Sequence, residues 1–312
     1  MKISVLTPTY NRGELLERLY ESLEKNSIYG VEIEWLIMND GSTDKTKEIV
    51  QKFQEKNVPN LEIKYFEQEN QGKMVAINNL VEHVTGEYMI DCDSDDYFAD
   101  NAFKYMKQKI EESKQEKNIY GLCFLKFDIK GVNLGKVFTK NRSTLFDLHF
   151  KENDQGERAI LFISNIRKKY KHKLENGEKF VTEARMYYEM DKENELLCFN
   201  LPIMICEYQE KGYTKNIVKQ FLKYPYGYYK YFAEILEKNM AGVLLSKRLY
   251  AIKHYILFSY LTKQYSSKNI KDIENKILYY ILLIPGIIKS KNLKKIKNVV
   301  LQLMWNKINK IE

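Results

Sequence analysis

Residues 87–98 read EYMIDCDSDDYF: a short apolar run ends in four carboxylates, Asp91, Asp93, Asp95 and Asp96, within six positions. The apolar part, residues 87–92, fits a strand. Like charges crowded at its tip repel one another and raise each other's pKa unless a cation neutralises them. Oxygen donors of this kind suit a hard divalent cation. A metal held by one or two carboxylates keeps open positions for a diphosphate and offsets charge that develops there. Continued extension would put Asp91, Asp93 and Asp95 on one face, but a turn is expected near Ser94. Taken alone, the same residues also fit an Asp-rich turn that caps a helix starting near Asn101.

Working outward, strand and helix patterns alternate. Residues 2–7 (KISVLT) form a short β-branched run. Asn11, with Glu14 three residues later, fits a capping box. Leu15, Leu19 and Leu23 then repeat as one helical face. Residues 33–38 (IEWLIM) fit a second strand, followed by the turn NDGSTD with Ser42 or Thr43 as the expected cap. Residues 61–66 fit a third strand and 72–84 a third helix. This alternation predicts an α/β fold of parallel strands joined by right-handed crossovers. Ligands in such sheets lie beyond the carboxyl ends of the strands. Those ends are polar here: Thr9-Tyr10-Asn11, Asn39-Asp40-Gly41, Glu67-Gln68 and the aspartates. Downstream, residues 120–129 fit a strand, 165–179 a charged exposed loop or lid, and 196–208 two short strands around Pro202. From residue 217 the chain reads as helical and rich in tyrosine.

The chain has 312 residues and a hydrophobic content of 44%, enough for a large core. Its four cysteines form no CxxC pair, which disfavours a zinc site or a disulfide framework and fits a reducing compartment. The N-terminus lacks a signal peptide's apolar stretch, so a cytoplasmic location is expected. Residues 251–312 carry twelve lysines against three acids, a local +9 that leaves residues 1–250 at −1 of the total +8. A basic tail fits an anionic lipid surface or a solvated helix face. Nucleic-acid binding would rest on tail charge alone, so no nucleic-acid partner is expected. No G-x-G-x-x-G follows the first strand, which disfavours a dinucleotide-dependent dehydrogenase.

Four motifs, in order within residues 1–98, resemble the family 2 glycosyltransferases: SVLTPTYNR, IMNDGSTDKT, NQGKMVAIN and GEYMIDCDSDDYF. The resemblance implies the GT-A (nucleotide-diphospho-sugar transferase) fold, a mixed, mostly parallel sheet flanked by helices. It implies that Thr7, Pro8, Thr9 and Tyr10 line the base pocket and that Asp40 hydrogen-bonds the base, usually uracil. Lys73 would approach the nucleotide, although a solvated lysine fits as well. Asp93 would contact the ribose, and Asp95 would bind Mn2+ or Mg2+ bridging the diphosphate, with Asp96 supporting the loop. Asp91 falls where the family carries an apolar residue and has no assigned role.

Inverting sugar transfer needs a base for the acceptor hydroxyl. Residues 177–183 (GEKFVTE) resemble a segment of capsule- and surface-polysaccharide members of the family. At the matching position Glu183 would be the base, with Glu178 as the alternative. Residues 205–216 resemble the closing segment of the same subgroup, in which Tyr208, Gly212 and Thr214 would shape a wall beside the diphosphate or acceptor. A catalytic domain over 1–216 and a helical region over 217–312 are therefore expected. The implied partners are a nucleotide-diphosphate sugar, uridine-linked, and a glycan or lipid-linked acceptor. Residues 277–288 are apolar but broken by Pro285-Gly286, too short to span a bilayer. With the lysines that follow, they fit peripheral contact at the inner face of the membrane. A non-catalytic nucleotide-sugar-binding partner subunit is the rival expectation.

Overall fold

The computed structural model describes residues 1–154, 156–207, 209, 217–264, 277–279 and 282. Its first half is built as the alternation predicts. Strands β1 (Lys2–Thr9), β2 (Glu32–Asn39), β3 (Leu61–Glu67) and β4 (Tyr88–Asp91) pair in parallel in the order β3-β2-β1-β4. Helices α1 (Leu16–Asn26), α2 (Thr46–Glu55) and α3 (Lys73–His83) connect them. β1 and β2 are buried along nearly their whole length, which is why they read as continuous apolar runs.

The chain then forms β5 (Asp96–Phe98), α4 (Ala102–Glu112), β6 (Ile119–Asp128), β7 (Arg142–Ser143), α5 (Leu145–Phe150), β8 (Arg158–Ile163) and α6 (Ser164–Arg167). Helix α7 (Ala184–Met190) and strand β9 (Glu195–Cys206) follow. The sheet continues β4-β8-β6-β9-β5, with β7 on β9. β8 runs antiparallel to both neighbours, so the sheet is mixed, with its parallel character concentrated in the first four strands. The two short strands expected around Pro202 are one strand, β9. Its register against β6 shifts opposite Phe199 and Pro202, where a residue without an N–H is tolerated.

One face of the sheet packs Ile3, Val5, Ile33, Trp35 and Ile37 against Leu19, Leu23, Phe53, Phe103 and Met106 of α1, α2 and α4. α3 packs on β1 and β2 through Met74, Ile77 and Leu80. The segment expected as an exposed loop or lid is anchored instead. Arg167 is fully buried and His172 nearly so, and Asn78 of α3 donates to the His172 carbonyl at 2.9 Å while accepting from its N–H.

The chain divides into two compact units. One contains 1–173 and 186–209; the other joins 174–185 to the helical residues described from 217 onward. Residues 174–185, within the span expected to be catalytic, thus group with the helices. In that unit α8 (Ile217–Lys223), α9 (Pro225–Leu236) and α10 (Leu245–Thr262) pack through aromatic rings. Phe221 meets Tyr228 at 4.5 Å and Phe232 meets His254 at 5.0 Å between ring centres. Burial pushes His254 down to about 4, so it is a neutral core residue near pH 7. The tail beyond 282 lies outside the described residues, as do Tyr208, Gly212 and Thr214. No helix among the described residues is long and apolar enough to cross a membrane.

Candidate active site

The carboxyl ends of β1 and β2 are joined by their turn residues. Asp40 N–H donates to the Thr9 carbonyl at 2.9 Å. Asn11 takes a left-handed backbone conformation (φ 51°), donates from its N–H to Ser42 Oγ at 2.9 Å and accepts from Thr43 N–H at 2.7 Å. The capping box expected from Asn11 and Glu14 is therefore absent, because Asn11 serves the neighbouring strand end. Ser42 and Thr43 are likewise not the cap of α2. The cap position is Lys45, and Asp44 before it accepts from Thr46 N–H at 3.1 Å and from Gly13 N–H at 3.2 Å.

Asp40 is 3% exposed. Gln68 Nε2 and Gln71 N–H donate to one carboxylate oxygen at 2.7 and 2.8 Å. Asn70 Nδ2 and Gly72 N–H donate to the other at 3.2 and 2.8 Å. A carboxylate has about four lone-pair positions, and four donors of the chain itself address them here. Asp40 therefore fixes the 68–72 loop and the start of α3, where Gly72 adopts φ 96°. Gly41 (φ 78°) lets the two turns approach: a Cβ there would lie 3.0 Å from Asn70 N.

The residues expected to line a base pocket divide. Thr7 is fully buried and its hydroxyl accepts from the Trp35 indole at 2.9 Å, so Thr7 belongs to the sheet interior and not to a pocket wall. Pro8 and Thr9 are also buried, and Tyr10 is exposed.

After β4 the chain turns as expected, with Asp96 N–H donating to the Asp93 carbonyl at 3.0 Å. Each aspartate of Asp93-Ser94-Asp95 has a basic partner. Lys73, the first residue of α3, places Nζ 2.7 Å from Asp93 Oδ2. Arg12, just past β1, places Nη1 2.8 Å from Asp95 Oδ2. Burial, and then the like charge of Asp93, push the Asp95 carboxyl up against the pull of Arg12. Burial also raises Asp96, to about 6, while Lys126 opposes that shift from 3.2 Å and Cys206 donates its thiol to the same oxygen. Asp96 thus supports the loop from inside. The carboxylate oxygens of Asp91 are buried at the end of β4.

No group of three or more His, Cys, Asp or Glu side chains that could hold a metal occurs among the described residues. Asp95 and Asp93 are the carboxylates that could hold a cation, leaving its other positions to substrate oxygens and water. That is how Mg2+-like ions are commonly bound, and the hard oxygen donors on this turn fit it.

In the helical unit, Glu178, the alternative base of the sequence reading, is bonded at a helix start. Its carboxylate accepts from Tyr226 N–H and Gly227 N–H, both at 2.8 Å, and so caps the first turn of α9. Burial raises its pKa, and these two bonds oppose the rise. Glu183 directly precedes α7. The neighbouring Arg185 donates to Glu234 at 2.7 Å and to Glu175 at 3.0 Å. Motif reading missed Arg12, Lys126 and the Asp40 donor set. Arg12 alone had a local signal, as a basic residue directly after the first strand's polar end.

The family model for glycosyl transferase family 2 matches residues 4–181, more than half of the chain. The chain is 27% identical over 243 residues to a Campylobacter jejuni GalNAc(5)-diNAcBac-PP-undecaprenol beta-1,3-glucosyltransferase, covering 77% of this chain and 75% of that enzyme. It spans between 44% and 48% of the length of several other curated relatives. Among solved structures, S. aureus TarS 1-349 in complex with UDP-GlcNAc aligns with TM-score 0.56 at 19% identity, covering 92% of this chain and 81% of that one. The mannosyltransferase PcManGT from Pyrobaculum calidifontis, in complex with GDP-Man and Mn2+, aligns with TM-score 0.55 at 13% identity, covering 92% and 86%. At such identities the structures speak for the fold. Together with the family match and the polar groups gathered past the carboxyl ends of β1, β2 and β4, they show that the chain belongs to glycosyl transferase family 2 and has the GT-A fold.

Proposed function

We propose that this protein transfers a sugar from a nucleotide-diphosphate donor, uridine-linked, to a hydroxyl of a glycan or lipid-linked acceptor, with inversion. The observation that carries this reading is the array at the carboxyl ends of β1, β2 and β4. The Asn11–Thr43 bond, the Asp40-bound loop and the Asp93/Asp95 turn converge where open α/β sheets bind nucleotides. Support for donor and acceptor comes from relatives: TarS was solved with UDP-GlcNAc, and the C. jejuni enzyme is named for an undecaprenol-linked glycan. A role in surface polysaccharide synthesis fits such acceptors.

In this reading Pro8, Thr9 and Tyr10 flank the base, and Asp40 shapes the loop beside it. Asp93, carrying Lys73, faces the ribose. Asp95 would hold Mn2+ or Mg2+, which when bound offsets charge on the departing diphosphate. The acceptor oxygen attacks the anomeric carbon, and the bond from that carbon to the diphosphate oxygen breaks with its electron pair leaving on the diphosphate. Glu183 takes the acceptor's proton.

The test is a panel of nucleotide sugars, with and without Mn2+ or Mg2+, read by thermal shift and by release of nucleoside diphosphate. A matched donor should stabilise the wild type and turn over with acceptor. Glu183→Gln should retain donor binding while kcat falls about 10²–10⁴-fold. Asp95→Asn should lose the cation dependence of donor binding. A protein that binds donor and never releases diphosphate would instead be a nucleotide-sugar-binding partner subunit.

A further inference from the structure

We infer that Arg12 competes with the divalent cation for Asp95 and passes to the donor's diphosphate when the cation binds, so that cation and donor must arrive together. This rests on the nucleotide-sugar reading of the site and adds a binding rule to it.

The inference starts from charge. Asp93 and Asp95 contribute two negative charges, and Lys73 and Arg12 contribute two positive ones at contact distance. These four groups sum to zero, and Asp96 behind them shares Lys126 with Glu157. A divalent cation added alone would leave the four groups at +2. The diphosphate of a nucleotide sugar, added alone, would leave them at about −2. Added together, they restore neutrality. In a partly buried site, where like charges are weakly screened, that difference favours joint binding.

Geometry makes Arg12 the movable member. Its guanidinium lies on Asp95 Oδ2, an oxygen that a cation would use. Its side chain is 27% exposed against 14% for Asp95, so the arginine end of the pair is the one nearer solvent. Its backbone, by contrast, is held on both sides. Asn11 is tied to Ser42 and Thr43, and Gly13 N–H donates to Asp44. A fixed stem with a partly exposed side chain can leave one anion for another without moving the strand end. A guanidinium fork also matches diphosphate oxygens in geometry and number of donors.

Titration calorimetry with Mn2+ alone, UDP alone and the two together tests this. In the wild type, UDP should tighten Mn2+ binding, and Mn2+ should tighten UDP by the same factor. Arg12→Met should bind Mn2+ alone about tenfold more tightly and show a correspondingly smaller UDP–Mn2+ coupling. Arg12→Lys, which keeps the charge but not the fork, should recover most of the coupling. Circular dichroism confirms that each variant folds. Wild-type coupling retained unchanged in a folded Arg12→Met would overturn the inference and leave the site reading intact. Absence of any coupling in the wild type, or coupling unaffected by Asp95→Asn, would overturn the site reading and the inference with it.

Discussion

Asp40 and Asp95 are both aspartates at the carboxyl ends of parallel strands, yet their surroundings give them different work. Asp40 is enclosed by four donors from residues 68–72, whereas Asp95 faces one arginine at the edge of solvent. Replacing Asp40 with Asn would turn an NH2 group toward groups that themselves donate. Asp40→Asn should therefore destabilise the fold by about 2 kcal/mol, the scale of a lost charged hydrogen bond, as measured by urea denaturation. A stability equal to wild type would show that the four donors find other acceptors. The contrast between these residues was hidden in the sequence. Both sit in short acidic turns, and the donors that separate them lie 28 to 32 positions away from Asp40 in the chain.

At the scale of elements, buried carboxylates hold pieces of chain together. Glu34 of β2 is fully buried. It accepts from Ser4 of β1 at 2.5 Å, from Lys64 of β3 at 2.8 Å and from Thr85, just past α3, at 2.6 Å. Burial alone would raise its pKa, but bonds from Lys64, Ser4 and Thr85 outweigh burial and hold it at about 2. The folded value lies below the unfolded one, about 4.3 for Glu. The stabilisation is thus present above pH 4–5 and is lost as pH falls toward 2, by roughly 3 kcal/mol in all. Urea denaturation from pH 6 to pH 3 should show a little over half of this loss, and Glu34→Gln should flatten the slope. Glu178 does similar work at the start of α9. Glu178→Ala should cost about 1 kcal/mol and speed hydrogen exchange at the amides of Tyr226 and Gly227. Exchange unchanged at those two amides would show that α9 starts without this cap.

At the scale of the whole molecule, the chain leaves the sheet unit at residue 174, returns at 186 and leaves again after 209. The segment 174–185, which carries Glu183, is held within the helical unit by the Glu178 cap, by Phe180 against Tyr224, and by Arg185 between Glu234 and Glu175. The strand-end groups Arg12, Asp40, Lys73 and Asp95, proposed to face the nucleotide, all belong to the sheet unit. With Glu183 as the proposed base, breaking Arg185's anchor should act on transfer and not on donor binding. Glu234→Ala should lower kcat while leaving the KM for donor within about twofold, because only interactions gained in the transition state are lost. An equal rise in donor KM would show that this anchor also affects donor binding.

By itself the sequence determined the class of fold and the strand ends where chemistry gathers. Period-two and period-3.6 patterns, and the polar residues that interrupt them, are local properties of the chain. Thus β1 to β4, α3 and the turn after Asp91 could be read directly. The tertiary structure alone decided which charge each charged residue answers. Asn11 reads as a helix cap and bonds the next strand's turn. Glu178 reads as a second base and caps a helix 48 positions on. Thr7 reads as a pocket wall and lies against Trp35. Hydrogen-bond partners and burial depend on atoms brought within about 3 Å by folding, and separation along the chain carries no record of that distance.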